Sequence, residues 1–295
     1  MSKIQEALEK LQSAGNLAAR RSRPAISAPL SDDTAPVPVL SVEKKVVDVG
    51  LDALRAAGMI APERDKRLIA DQFREIKRPL IAHAFGRRAT QVPDGHLIMV
   101  SSAIAGEGKT FAVVNLALSM ARERDHSVLL VDGDVVKPHI TNVLGLSKDI
   151  GLLDILDNRS IHPESAVLPT NVDGLSILPA GKHYTNTTEL LASERMDEVL
   201  STLGSSVKNR IVLFDSAPLL QTSESKILGS VVGQIILVVR AESTEQNLVD
   251  DAIDTLDEDK AVSLILNQAR SVKDGHVYAY GGNQYAESSG EEGDQ

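Results

Sequence analysis

Residues 97–111 read Leu-Ile-Met-Val-Ser-Ser-Ala-Ile-Ala-Gly-Glu-Gly-Lys-Thr-Phe. An apolar run leads into a turn of small residues, and a helical pattern follows. The turn matches the end of the pattern G-x-x-x-x-G-K-[ST], with Ala103 where the first Gly usually stands. Gly106 and Gly108 let backbone N–H groups turn inward on a phosphate, and Lys109 supplies a point charge. Thr110 offers a hydroxyl to Mg2+, and the helix beyond it aims its positive end at the anion. Ala105, Gly106, Glu107, Gly108, Lys109, Thr110 and Phe111 are therefore read as the nucleotide cradle. A strand before the turn and a helix after it are the context that this reading requires.

Outward from the turn, short apolar runs alternate with helical stretches. The runs are HLIMVSS, SVLLVDGD, LSILPAG, RIVLFDS, GQIILVVR and AVSLILNQ, with helices expected near 187–203 and 244–257. Nearly continuous apolar strands separated by helices predict a mostly parallel sheet covered on both faces. The expectation is a doubly wound α/β domain of the P-loop NTPase type over 94–270. Two strands end in carboxylates, one in Asp132-Gly-Asp134 and the other in Asp215-Ser-Ala-Pro218. Ligands of parallel sheets bind at the carboxyl ends of the strands, so Lys109, Asp132, Asp134 and Asp215 are expected to converge there. An Asp beside a magnesium nucleotide suits the metal's surroundings. The last strand ends in Asn267, whose amide has both the donor and the acceptor that an adenine edge needs.

The flanks differ in texture. Ser2 can cap a short amphipathic helix over 1–12 with Ile4, Ala7, Leu8 and Leu11 on one stripe. Residues 13–60, which include RRSRP and APVPV, read as a flexible linker. A helical segment is expected over 61–93, with Leu68, Phe73 and Ile76 on its apolar side until Pro79 kinks or stops it. Residues 271–295 are Gly-, Ser- and Glu-rich and are expected to be disordered.

Composition excludes several classes. The 295 residues carry 31 Lys and Arg against 41 Asp and Glu, a net charge of −10 that argues against a general nucleic-acid binder. Residues 1–95 carry 16 basic against 12 acidic side chains, so the acidic excess belongs to the expected α/β domain. With no cysteine there is no disulfide, thiolate metal site or cysteine nucleophile. No stretch approaches the roughly 20 apolar residues of a membrane helix, and the first twenty residues lack a signal peptide's apolar run, so a soluble cytoplasmic protein is expected.

The order of these motifs resembles that of the bacterial tyrosine kinases of polysaccharide export. GEGKT corresponds to their phosphate loop, Asp132-Gly-Asp134 to Walker A′, and the strand ending Asp215-Ser-Ala-Pro218 to Walker B, before a terminal tyrosine cluster. The segment LIADQFREIKRPLIAHAFG and the sequence DGDVVKPH are more narrowly similar to soluble, exosortase-associated autokinases of exopolysaccharide synthesis. The resemblance implies ATP and Mg2+ as cofactors, with Thr110 and Asp215 at the metal. It makes Asp132 the group that takes the incoming tyrosine proton, also at the metal, and Asp134 a support for that site. It implies Tyr278, Tyr280 and Tyr285 as phosphoacceptors, and an oligomer-forming helix at Asp71, Arg74 and Lys77. Its remaining implications are an inner-membrane polysaccharide co-polymerase as activator, an antagonist tyrosine phosphatase, and peripheral attachment to the inner membrane through the partner.

The chain departs from the family pattern at Lys77 and at Val136, two positions where the family has Arg. Partitioning and positioning ATPases share the expected fold but begin their loop with a Lys that reaches across a dimer, where this chain has Ile104. A P-loop switch or scaffold without kinase activity is the alternative reading. Three of the four tyrosines lie in the final 18 residues, among small and polar neighbours that give their rings nothing to pack against.

Overall fold

The computed structural model describes residues 44–87 and 90–269. The expected helix over 1–12, most of the linker, and the tail with Tyr278, Tyr280 and Tyr285 lie outside the described residues.

The apolar runs form seven strands: β1 Leu97–Ser102, β2 Ser127–Asp132, β3 Leu168–Pro169, β4 Leu175–Leu178, β5 Arg210–Asp215, β6 Gln234–Arg240 and β7 Ala261–Asn267. They assemble in the order β3-β4-β2-β5-β1-β6-β7. All pairings are parallel except the short β3–β4 pair. β1 sits between β5 and β6 and is buried along its whole length. Such a strand must be apolar on both faces, which explains its lack of alternation. Leu97 and Met99 point into one core, Ile98 and Val100 into the other.

Helix α1 spans Leu51–Ala56, α2 spans Lys66–Phe85 and α3, directly after the phosphate loop, spans Lys109–Met120. Further along, α4 is His139–Val143, α5 Glu194–Ser205, α6 Ser223–Val231 and α7 Gln246–Ile253. α2 lies against α3 on one face of the sheet, and α5, α6 and α7 bury their apolar sides on the other.

The expected linker gives way to folded chain well before residue 60. Val47 and Val49 point inward while Val46 and Asp48 point out, an alternation too short to register among the preceding prolines. The Val47 N–H donates to the Pro169 carbonyl (2.8 Å), and the Val47 carbonyl accepts from the Asn171 N–H (3.1 Å), which makes a parallel bridge to Thr170. Leu54, Met59 and Ile60 are buried behind it. The folded domain therefore begins by residue 44, not 94.

α2 also differs from its expected form. It runs through Pro79 to Phe85 without stopping. Its buried stripe is Phe73, Lys77 and Leu80, spaced four and three residues apart, while Leu68 is 61% exposed. Apolar spacing alone would put Leu68 inside, whereas a lysine holds the centre of the contact. Lys77 Nζ bonds the Ser119 carbonyl (2.7 Å) and pairs with Glu123 (2.6 Å). Its ammonium, expected at an oligomer-forming face, is engaged within its own domain. Asp71 and Arg74 stay on the surface as an i,i+3 pair. Among the described residues no helix is long and apolar enough to cross a membrane.

Candidate active site: a phosphate loop facing two buried aspartates

The loop between β1 and α3 gets its shape from its two glycines. Gly106 and Gly108 have φ of +87° and +92°, a region that side-chain-bearing residues avoid. At Gly108 a Cβ would also lie 2.1 Å from Asn267 Nδ2. The loop's base is fixed by the chain just beyond β5: Ser101 Oγ donates to the Ala217 carbonyl (2.8 Å), and the Leu219 N–H donates to the Ser102 carbonyl (2.8 Å). β1 and the end of β5 are thereby locked in register, so Asp215 and the loop face each other.

Thr110, in the first turn of α3, donates its hydroxyl to Asp215 Oδ2 (2.7 Å). Asp215 pairs with Asp132 across the parallel β2–β5 ladder. Gly133 allows that approach, since its N–H donates to the Asp215 carbonyl (2.8 Å) and a Cβ there would sit 2.8 Å from the same oxygen. Asp132 Oδ2 accepts from the Thr141 N–H in α4 (2.7 Å). The second oxygens of both carboxylates, Asp132 Oδ1 and Asp215 Oδ1, are buried and have no partner.

Two carboxylates that are 0% and 1% exposed, each with one unpaired oxygen, are costly without a cation. Burial, only partly offset by the bonds from Thr141, pushes Asp132 up to about 6. Burial, reinforced by the charge of Asp132, pushes Asp215 upward as well. Asp134 is raised by burial too, although its Oδ1 accepts from the Lys137 N–H (2.9 Å). Burial lowers Lys109, while the charges of Asp215, Asp134 and Glu107 favour its ammonium form. The set matches a bound magnesium nucleotide: orphaned hard oxygens for the metal, a lysine, and a glycine-shaped backbone for phosphates.

The structure thus brings Gly106, Gly108, Lys109, Thr110, Asp132, Asp134 and Asp215 to one edge of the sheet, with Ala105 and Gly106 exposed at the crown. Three expected binders stand differently. Phe111 turns its ring toward Phe73 of α2, at 6.3 Å between centroids. Asn267 donates its amide to the Glu107 carbonyl (2.9 Å), and Gln268 donates to that of Gly106 (3.3 Å), so the end of β7 holds the loop. The Glu107 side chain is buried beneath the loop, where Ile104 and the turn after β6 hold it. Gly133, Thr141 and Thr244 were missed from the sequence. Of these only Gly133, set between two aspartates, carried a signal.

Fold and site together define a phosphate-loop nucleotide-binding domain. Residues 95–261 match a family described as AAA domain, AAA_31. The chain belongs to the bacterial tyrosine-protein kinases: it is 30% identical over 225 residues to tyrosine-protein kinase YwqD of Bacillus subtilis, spanning 76% of this chain and 91% of that one. Its enzyme class is accordingly protein-tyrosine kinase. Putative tyrosine-protein kinase EpsB of Ralstonia solanacearum is 33% identical over 169 residues, which are 57% of this chain and 22% of EpsB. The crystal structure of the VpsO kinase domain superposes with a TM-score of 0.58 at 29% identity, covering 71% of this chain and 100% of that one.

Proposed function

We propose that this chain is an ATP- and Mg2+-dependent tyrosine autokinase that phosphorylates Tyr278, Tyr280 and Tyr285 of its own terminus. The observation that carries the reading is the pair of orphaned buried oxygens on Asp132 and Asp215, facing a phosphate loop in a chain of this family. Thr110, Asp132 and Asp215 would hold the metal, and the loop backbone with Lys109 would hold the phosphates. A bound magnesium nucleotide supplies the transferable phosphoryl group and disperses its charge.

The protein's own groups do the rest. Asp132 would accept the phenolic proton, since a tyrosine of pKa about 10 needs a carboxylate to take its proton as the new bond forms. Thr141 fixes one oxygen of that carboxylate and leaves Oδ1 unpaired. Lys109 opposes the negative charge that grows on the transferred group.

Tyr184, the tyrosine among the described residues, supports assigning acceptance to the tail. Tyr184 donates its hydroxyl to Asp154 Oδ1 (2.9 Å), and burial together with that bond pushes it up to about 12. It is committed to the architecture. A phosphoryl acceptor must leave its own surface, and a tail starting beside the loop at Gln268 suits that need. Three phosphotyrosines would add about −4.5 to −6 of charge to a tail that already holds Glu287, Glu291, Glu292 and Asp294. Loosening of a homo-oligomer by that charge completes the proposal. So do control of exopolysaccharide polymerisation and export, activation by an inner-membrane co-polymerase, reversal by a tyrosine phosphatase, and a cytoplasmic place at the inner membrane through the partner. In EpsB the matched part is 22% of the relative's length, and a separate partner chain would stand for what lies outside that part.

The test is transfer of labelled phosphate from ATP with Mg2+, mapped by residue. Label is expected on the three terminal tyrosines and not on Tyr184, and Lys109→Met should remove it while the fold persists. Phosphate release with no tyrosine label would instead favour a nucleotide switch.

A further inference from the structure

The loop that must attract a triphosphate carries a carboxylate of its own. Glu107 lies between the two positive-φ glycines, and its side chain is 1% exposed. A carboxylate free to swing toward the crown would repel the ligand that the loop is built for. Here it is turned inward and saturated. Its Oε2 accepts from the Ile104 N–H (2.9 Å), and its Oε1 accepts from the Thr244 hydroxyl (2.6 Å) and the Arg240 N–H (3.3 Å). Two of these donors are backbone N–H groups, which only a proline substitution would remove. The third is a single hydroxyl on the turn between β6 and α7, far from the loop in sequence.

The geometry points to Thr244 as a positioning residue of the phosphate loop: its hydroxyl keeps the Glu107 carboxylate facing away from the nucleotide. This inference rests on the phosphate-binding reading of the loop. Without that hydroxyl, a buried carboxylate loses its shortest bond, and rotation toward solvent restores its hydration. That rotation carries negative charge to the phosphate side and releases the Ile104 N–H, so the loop both repels the nucleotide and loses its preformed shape. The Thr244 hydroxyl bonds Glu107 rather than any group proposed to hold the nucleotide or the metal. Its effect passes through Glu107.

The experiment uses the full chain. MgADP affinity is measured by calorimetry, and amide exchange over residues 104–108 is followed without nucleotide. Thr244→Val preserves shape and removes the donor; it should weaken MgADP about tenfold and speed exchange in the loop. Thr244→Ser keeps the donor and should bind within about twofold of the parent. With Glu107→Gln the charge is gone, so adding Thr244→Val should cost less than about threefold. Thr244→Ala at the same half-buried turn position tests the loss again should the valine variant fail to fold.

MgADP binding unchanged in Thr244→Val, or an undiminished tenfold loss on top of Glu107→Gln, would overturn the inference. Lys109→Met is the separate control: if it too binds MgADP normally, the phosphate reading itself has failed. If it loses binding while Thr244→Val does not, only the role of Thr244 has failed.

Discussion

Charge is buried in two regions of this domain, and the two are built in opposite ways. Away from the phosphate loop, Arg210 is buried but spends its guanidinium on both oxygens of Glu164 and on the Leu203 carbonyl. Lys77 is likewise matched by Glu123 and a carbonyl at the end of α3. At the loop, Asp132 and Asp215 are buried more deeply, yet each keeps an oxygen with no donor. A buried ion with every valence met holds elements together. Buried carboxylate oxygens left without donors, on groups whose proton affinity burial raises, mark a place that a cation would favour.

That contrast breaks most visibly in activity. Asp132→Asn and Asp215→Asn should each lower phosphate transfer at least about a hundredfold, by analogy with lost charge-stabilising groups in other active sites. Neither should lower the melting temperature of the nucleotide-free protein. A parallel fall in thermal stability would place these aspartates with Arg210 instead.

The reverse variant comes next. Arg210→Met leaves Glu164 without its partner and should cost about 3 kcal/mol in denaturant unfolding. Turnover per folded molecule should stay near the parent value. A selective loss of turnover would mean that this pair also serves the chemistry.

The smallest effect sharpens the sign of the comparison. Asp132 sits at about 6 in the folded protein against about 3.9 unfolded, so between those values the native state holds more protons. Its contribution is therefore fully present below pH 4 and lost as pH rises through 6. Compared with Asp132→Asn, the nucleotide-free parent should lose about 2 kcal/mol of stability from pH 4 to pH 7, and the loss should continue above pH 7 as Asp215, which the charge of Asp132 raises further, gives up its proton. A difference that stays flat across that window would show that the carboxylate is not strained.

The sequence was most legible where one residue type has one use. Continuous apolar runs could only be buried strands, and Gly106, Gly108, Lys109 and Thr110 left little choice for the loop. Strand ends then placed Asp132, Asp134 and Asp215 on one edge without any contact being known. Short or shared signals failed. The Val47 bridge has two inward positions, too few for a period, and Lys77 reads as surface because its partners are 42 and 46 residues away. Thr244 has no local sign, since its importance comes from a carboxylate brought to it by the fold. Asn267 was recognised as a strand-end amide, but which of several acceptors it would meet depended on how closely β7 approaches Gly108.

The bridge at Val47 bears on how this kinase can be trimmed. β3 is only two residues long and lies at the margin of the sheet, where the strap of residues 44–49 shields its outward hydrogen-bonding groups. A version cut at the start of the second helix would bare that margin and uncover the valines' hydrophobic seat, a ready template for chains to stick to one another. Clumping of such a fragment would then say nothing about its natural assembly.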